Sequence, residues 1–210
     1  MSFDHNDHYH RLLLRHLPPD CRTALDVGCG TGRFARLLAE RGIEVDAVDP
    51  AREAIAAARA MAVSAGSTPP RFWHADLTRT ELPRGHYDFV SCLASLHHMP
   101  FATVERLRDA LAPGGVLVVL GCYPRRTPVD LAWELAAVPA NTVARLVVAA
   151  RETARGTRAA RRGVVRAPVR EPYMPLAEVR REAAALLPGA AVRRLLFWRF
   201  LLVFRNGAGR

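Results

Sequence analysis

Residues 24–33 read A-L-D-V-G-C-G-T-G-R, an apolar stretch holding one acid and running into three glycines at alternate positions. This run restricts the fold more than any other part of the chain. The stretch T-A-L-D-V has the character of a buried strand, and the R-F-A-R-L-L-A-E beyond the glycines has helical periodicity. Gly28, Gly30 and Gly32 permit the positive φ of a tight turn and remove Cβ atoms where main chain must approach a ligand. The unit is therefore strand, glycine turn, helix, and a nucleotide-like ligand fits against it. Two phosphate-binding versions are excluded by spacing. The dinucleotide fingerprint needs G-x-G-x-x-G, whereas here the order is G-x-G-x-G followed by Arg33. A P-loop needs a Lys-Ser/Thr pair after the turn, and none follows.

The alternation continues to residue 120. Strands are expected at 23–27, 43–48, 71–74, 87–93 and 115–120, and helices at 31–41, 51–65 and 102–112. Gly42, Gly66, Pro69-Pro70 and Pro113-Gly114-Gly115 punctuate them. Strands separated by single helices imply right-handed crossovers and a parallel sheet covered on both faces. Beyond 120 the pattern changes. Residues 127–160 are helical without a strand, 163–175 carry three prolines and read as extended, and 176–187 are helical. Residues 191–197 and 199–205 form a strand pair turning at Trp198. A chain of 210 residues suits one domain with a substantial core.

No apolar run reaches the ~18–20 residues that cross a bilayer, and the longest, Leu195 to Phe204, is interrupted by Arg199. The polar N-terminus is unlike a signal peptide. Cys21, Cys29, Cys92 and Cys122 contain no C-x-x-C pair, so reduced thiols in a cytoplasmic protein are expected, not disulfides or a zinc site. All 30 basic residues are Arg. Residues 1–120 hold 13 of them against 14 acids, and residues 121–210 hold 17 against 6, densest from Arg151 to Arg170. Arg151, Arg155, Arg158 and Arg162 share one helical face. Such a face is open to several uses: simple solvation, a bidentate grip on an anionic substrate or acidic carrier domain, nucleic acid, or a membrane surface. Charge alone does not choose among them.

The run L-D-V-G-C-G-T-G resembles the first motif of class I S-adenosylmethionine-dependent methyltransferases. The resemblance covers residues 20–122 in order and 190–206 weakly. It implies a doubly wound α/β fold in a single domain over 1–210. The sheet would be seven-stranded and mostly parallel, of order 3-2-1-4-5-7-6, with strand seven antiparallel. It also implies an N-terminal helical cap over 1–20 and a helical and extended insertion over 123–175, both lying over the acceptor site. The implied cofactor is S-adenosylmethionine.

Asp49 ends the second strand, about 20 residues beyond the glycines, the separation such a fold uses for a ribose-binding acid. A carboxylate there can accept from both vicinal hydroxyls and can also cap the helix that follows Pro50. The resemblance runs the methionine end of the cofactor past Gly28, Cys29, Gly30 and Gly32, with Asp26 ordering the loop and Pro50 beside Asp49. It assigns the adenine amino group to Asp76, the ring to the Leu77 N–H, and the cofactor's amino group to the carbonyl near Leu93. A plain turn aspartate is the other reading of Asp76.

After the fourth strand the chain reads L-A-S-L-H-H-M. Families that methylate nucleobase amines or glutamine side chains carry [N/D/S]-P-P-[Y/F] there, so its absence counts against those substrates. The L-H-H-M run resembles small-molecule methyltransferases. Methyl transfer is an in-line displacement that needs alignment and a dry pocket. A hydroxyl or amine acceptor must also lose a proton, and His97 or His98 is the candidate base. Tyr9 and His10 are candidates to line the acceptor pocket, and Arg155 and Arg158 to hold an anionic acceptor. His5, His8 and His10 are metal-ligand types, but a solvated cap is the default for a terminus and no metal is expected. The expected function is methylation of a small molecule at O, N or C, in secondary or quinone/lipid-type metabolism. The alternatives are an RNA methyltransferase using the basic C-terminal part and a non-catalytic cofactor-binding regulator.

Overall fold

The computed structural model describes residues 5–62, 68–124 and 171–207, with side chains from residue 8 onward. Seven strands form one sheet: β1 (Thr23–Val27), β2 (Glu44–Asp49), β3 (Arg71–His74), β4 (Tyr87–Leu93), β5 (Leu111–Cys122), β6 (Ala191–Arg194) and β7 (Arg199–Arg205). Their order is β3-β2-β1-β4-β5-β7-β6. The first five are parallel, and β7 runs antiparallel between β5 and β6. This is the doubly wound fold that the strand–helix alternation and the motif resemblance imply, with the same strand order.

Among the described residues, five α-helices cover the sheet: α1 (His5–Leu14), α2 (Arg33–Ala39), α3 (Arg52–Ala62), α4 (Thr103–Ala110) and α5 (Leu176–Leu186). One apolar layer joins Val104 and Leu107 of α4 and Val179 of α5 to Leu25, Val90, Leu117 and Phe200. The other joins Leu13, Phe34, Leu38 and Ile55 to Ala24, Phe89, Val116 and Leu201. Successive strand residues supply opposite layers because a pleated strand alternates its side chains. Strands covered on both faces are apolar throughout, which is why V-L-V-V-L stands out.

Boundaries differ where tertiary contacts act. The helix expected over 102–112 stops at Ala110. Leu111 already pairs with Tyr87, after which the register jumps to Phe89 opposite Val116. The intervening residues are held by the Asn206 side-chain amide, which donates to the carbonyls of Leu111 and Ala112. The strand expected over 191–197 ends at Arg194, because Phe197 and Trp198 adopt left-handed φ of 61° and 55° to turn the chain into β7. The expected helical stretch 127–160, most of the insertion 123–175, and the arginine cluster with Arg155 and Arg158 lie outside the described residues.

Candidate active site

Parallel strands bring their carboxyl ends to one edge of the sheet, where ligands bind in this architecture. A cleft of about 700 Å³ opens there. Its walls are residues 27–28 after β1, 48–51 after β2, 75–78 after β3, and Ser95 with 98–100 after β4. The size lies within the ~300–1,000 Å³ of small-molecule and cofactor sites.

The glycine loop is clamped onto the end of β2. The N–H groups of Gly28 and Cys29 donate to the Val48 carbonyl at 2.8 and 3.1 Å. Asp49 is buried at 8 % exposure. Its Oδ2 accepts from the Gly30 N–H and its Oδ1 from the Ala51 N–H, both at 2.8 Å. Asp49 therefore fastens the loop and the start of α3 together, and its remaining lone pairs face the cleft it lines.

The three glycines, expected to make room for a ligand, have different neighbours. All three take positive φ, of 67°, 53° and 72° at 28, 30 and 32. A Cβ at Gly28 would lie 2.3 Å from Ser95 Cβ, and one at Gly32 would lie 2.4 Å from the Phe72 ring. Only Gly30 faces open space. Close protein packing, and not ligand approach alone, thus demands glycine at 28 and 32. Ser95, which the sequence reading passed over, lines the cleft and donates from Oγ to the Val27 carbonyl at 2.8 Å. Ala94 before it turns the chain out of β4 at φ 50°. Leu93 is half-buried against the α1–α2 layer.

Asp26 sits behind the loop at 1 % exposure. It accepts from Ser91 Oγ at 2.7 Å and from the backbone N–H of Ala35 in the first turn of α2. Burial carries its carboxyl up to about 7, against the pull of the Ser91 hydrogen bond and with a smaller push from Asp49. Burial also raises the Cys29 thiol. Asp76 is exposed, and its Oδ1 accepts from the Thr78 side chain at 2.7 Å and the Thr78 N–H at 2.9 Å, an Asx turn. Those bonds hold the carboxyl below its ordinary range. Leu77 is buried, and its N–H takes no acceptor among the described residues. The turn role of Asp76 is present, and both of its hydrogen bonds from Thr78 fall on the same carboxylate oxygen, Oδ1.

His97 and His98 lie on a 3-10 turn, Leu96–His98, with ring centroids 4.1 Å apart. Successive side chains on such a turn diverge by roughly 120°. His98 lines the cleft. His97 instead faces a second, small cavity with Phe101, Cys122, Met174 and Phe200 among its walls, about 20 Å³ in volume and enough for one water. Its Nδ1 is buried and meets no hydrogen-bond partner among the described residues. Burial, aided by His98 and Arg199, lowers its pKa to about 4. Tyr9 is buried and donates to the Leu196 carbonyl at 2.9 Å, with burial pushing its phenol up to about 12. His10 packs on Phe34 with ring centroids 5.1 Å apart. Neither side chain lines these two cavities.

The profile of the "Methyltransferase domain" family matches residues 24–115. An uncharacterized methyltransferase of Mycobacterium tuberculosis is 34% identical over 203 residues, which is 95% of this chain and 95% of the relative. A ubiquinone biosynthesis O-methyltransferase of Xanthomonas campestris pv. campestris is 35% identical over 126 residues, 59% of this chain and 51% of that protein. The crystal structure of magnesium protoporphyrin IX methyltransferase from Synechocystis with bound SAH has a similar fold, with TM-score 0.59 and 20% identity, covering 96% of this chain and 81% of that one. The chain belongs to the class I S-adenosylmethionine-dependent methyltransferases. It is an enzyme with S-adenosylmethionine as its cofactor, and no described helix is long and apolar enough to cross a membrane.

Proposed function

We propose that the enzyme methylates a small-molecule acceptor, with the cofactor in the 700 Å³ cleft and the acceptor meeting it at the rim that His98 and Met99 line. The observation that carries this is the cleft itself, which gathers the carboxyl ends of β1, β2, β3 and β4 around one cofactor-sized space. In-line transfer needs the acceptor atom within roughly 3–3.5 Å of the methyl carbon with nothing between them, so the acceptor must enter that same cleft.

The donor set of the cleft suits the cofactor. Asp49 takes the ribose hydroxyls, Asp76 the adenine amino group, and the Leu77 N–H the ring. Gly28, Cys29, Gly30 and Gly32 flank the methionine end, Pro50 closes the ribose side, and Leu93 offers a carbonyl to the amino group. Asp26 acts through the loop it anchors. When bound, S-adenosylmethionine supplies an electrophilic methyl group on a sulfonium. The chain aligns it, keeps water out with Met99 and Pro100, and manages the acceptor's proton. His98, on the cleft side, is the better placed base. His97 stays neutral at physiological pH and is a weak proton acceptor. The likeness to a ubiquinone biosynthesis O-methyltransferase supports an oxygen as the methyl acceptor.

Asp49→Ala is expected to abolish S-adenosylhomocysteine binding in calorimetry while the melting transition persists. Unchanged affinity would mean the cofactor lies elsewhere. Purified enzyme with isotopically labelled cofactor should methylate members of a panel of phenols, catechols and amines. The Arg excess after residue 120 favours one competing acceptor, RNA. Methylation of RNA with steeply salt-dependent binding, and inactivity on the panel, would replace the small-molecule reading.

A further inference from the structure

Ser95 stands on the cleft wall where the chain leaves β4, and its hydroxyl is committed in one direction. The residue is 8 % exposed and lines the cleft. A serine hydroxyl has one proton and two lone pairs, and here the proton goes to the Val27 carbonyl at 2.8 Å. Cys92 Sγ lies 3.1 Å from the same oxygen. Since the hydroxyl proton is already engaged, the thiol is the donor in that pair. Burial keeps the thiol protonated, with its pKa pushed up to about 12, and its sulfur accepts in turn from the N–H groups of Ser95 and Leu96. The Ser95 carbonyl accepts from the His98 N–H at 3.0 Å. Oγ is thus fixed in place, with one lone pair for Cys92 and a second left over.

The neighbours of that oxygen point to the kind of group it would take. A Cβ at position 28 would come within 2.5 Å of Oγ, so the hydroxyl sits against the bare main chain of Gly28, itself a wall of the cleft. The other ionisable walls are Asp49, Asp76 and His98, and no arginine lines the cleft among the described residues. The Thr78 hydroxyl is committed as a donor too, to Asp76. The side chains around this space are rich in acceptors and poor in free donors, which suits a cationic part of a ligand.

We infer that the Ser95 hydroxyl binds the α-ammonium group of the cofactor, as an acceptor whose own proton is held away from the ligand. The inference rests on the cofactor lying in the cleft, as proposed above. An oxygen with no proton to offer attracts an N–H donor and repels a carboxylate, so Ser95 tells apart the two charged groups of the amino-acid moiety. An ammonium has three N–H donors and can use the proposed Leu93 carbonyl as well. Its charge strengthens the bond relative to a neutral pair. Holding the ammonium fixes the methionine chain, and with it the direction in which the sulfonium presents its methyl group.

The test is calorimetry with S-adenosylhomocysteine and its deaminated analogue, which has hydrogen in place of the ammonium and is otherwise the same. Ser95→Ala should weaken S-adenosylhomocysteine by about tenfold or more in Kd, as expected for a hydrogen bond to a charged group, and the analogue by less than about twofold. A serine that only shapes the wall would affect both ligands alike, so equal losses overturn the inference, as does undiminished binding of both. Asp49→Ala tests the reading beneath. If it leaves S-adenosylhomocysteine affinity unchanged, or if wild type takes up none, the cleft is not the cofactor site and both ideas fall. If it abolishes binding while Ser95→Ala shows no selective loss, the Ser95 assignment alone falls. Should Ser95→Ala fail to fold for want of a donor to Val27, Ser95→Cys carries the same comparison, because a thiol keeps that donor but is a weak acceptor.

Discussion

Asp26→Asn isolates the effect of burying a carboxyl behind the cofactor loop. Burial is the leading cause of the rise in its pKa from the ordinary 3.8 to about 7, and the Ser91 hydroxyl, pulling the other way, does not offset it. Between pH 4 and 7 the folded protein therefore keeps a proton that the unfolded chain has released. The sign follows from linkage: the group's contribution is complete below its unfolded pKa and is lost as pH rises through the folded one. A rise of roughly three pH units at ~1.4 kcal/mol each corresponds to about 4 kcal/mol. Asparagine keeps an acceptor for Ser91 and Ala35 but cannot ionise. The stability of wild type relative to the variant should thus decline by up to ~4 kcal/mol between pH 4 and pH 8. At ~2–4 °C per kcal/mol for a chain of this size, the difference in Tm should move by on the order of 10 °C. Urea titrations and melts of both proteins at pH 4.5, 6 and 8 measure it. Other titrating groups, His97 included, act on both proteins and cancel. A stability difference that does not change with pH would refute the reasoning, for Asp26 would then be ionised throughout.

Gly28→Ala should melt well below Gly30→Ala. Both accept a left-handed residue, worth ~1–2 kcal/mol, but only the first drives a Cβ into Ser95. Adding Ser95→Gly should restore part of the loss, and equal melts for the two single variants would dismiss the crowding. The ring proton signals of His97 in NMR should stay those of a neutral imidazole until pH approaches 4. The part of the fold's stability that its depressed pKa supplies is complete above about 6.5 and drains away as acid titrates the ring, so a midpoint near 6.5 would mean the ring faces water. Reversing Arg155 and Arg158 to Glu should reduce acceptor turnover without changing cofactor affinity, if that arginine cluster grips an anion. Undiminished turnover would return it to a solvated face.

The sheet was legible because strands buried on both faces cannot hide their apolar character, and T-A-L-D-V, Y-D-F-V-S-C-L and G-V-L-V-V-L all appear where expected. The limits of β5 were not, because P-G-G reads as a stop, while Tyr87 and Asn206 from distant parts of the chain decide where pairing begins. Asp49 and Asp76 stand at the cleft as the strand ends suggested. Ser95 was invisible because its importance lies in its approach to Gly28, a contact no local pattern encodes. The two histidines look equivalent in sequence, and a single turn of 3-10 helix sends them to different cavities.

The place of β7 between β5 and β6 also bears on how the protein comes into being. During synthesis, the long edge of β5 emerges from the ribosome some eighty residues before the strand that will cover it. Until then Val116 to Leu120 present an uncovered, wholly apolar border, the kind that recruits other nascent chains. Nascent chains that stall before Arg199 should therefore be clients of chaperones or proteases, and the pairing of β7 with β5 removes that exposure.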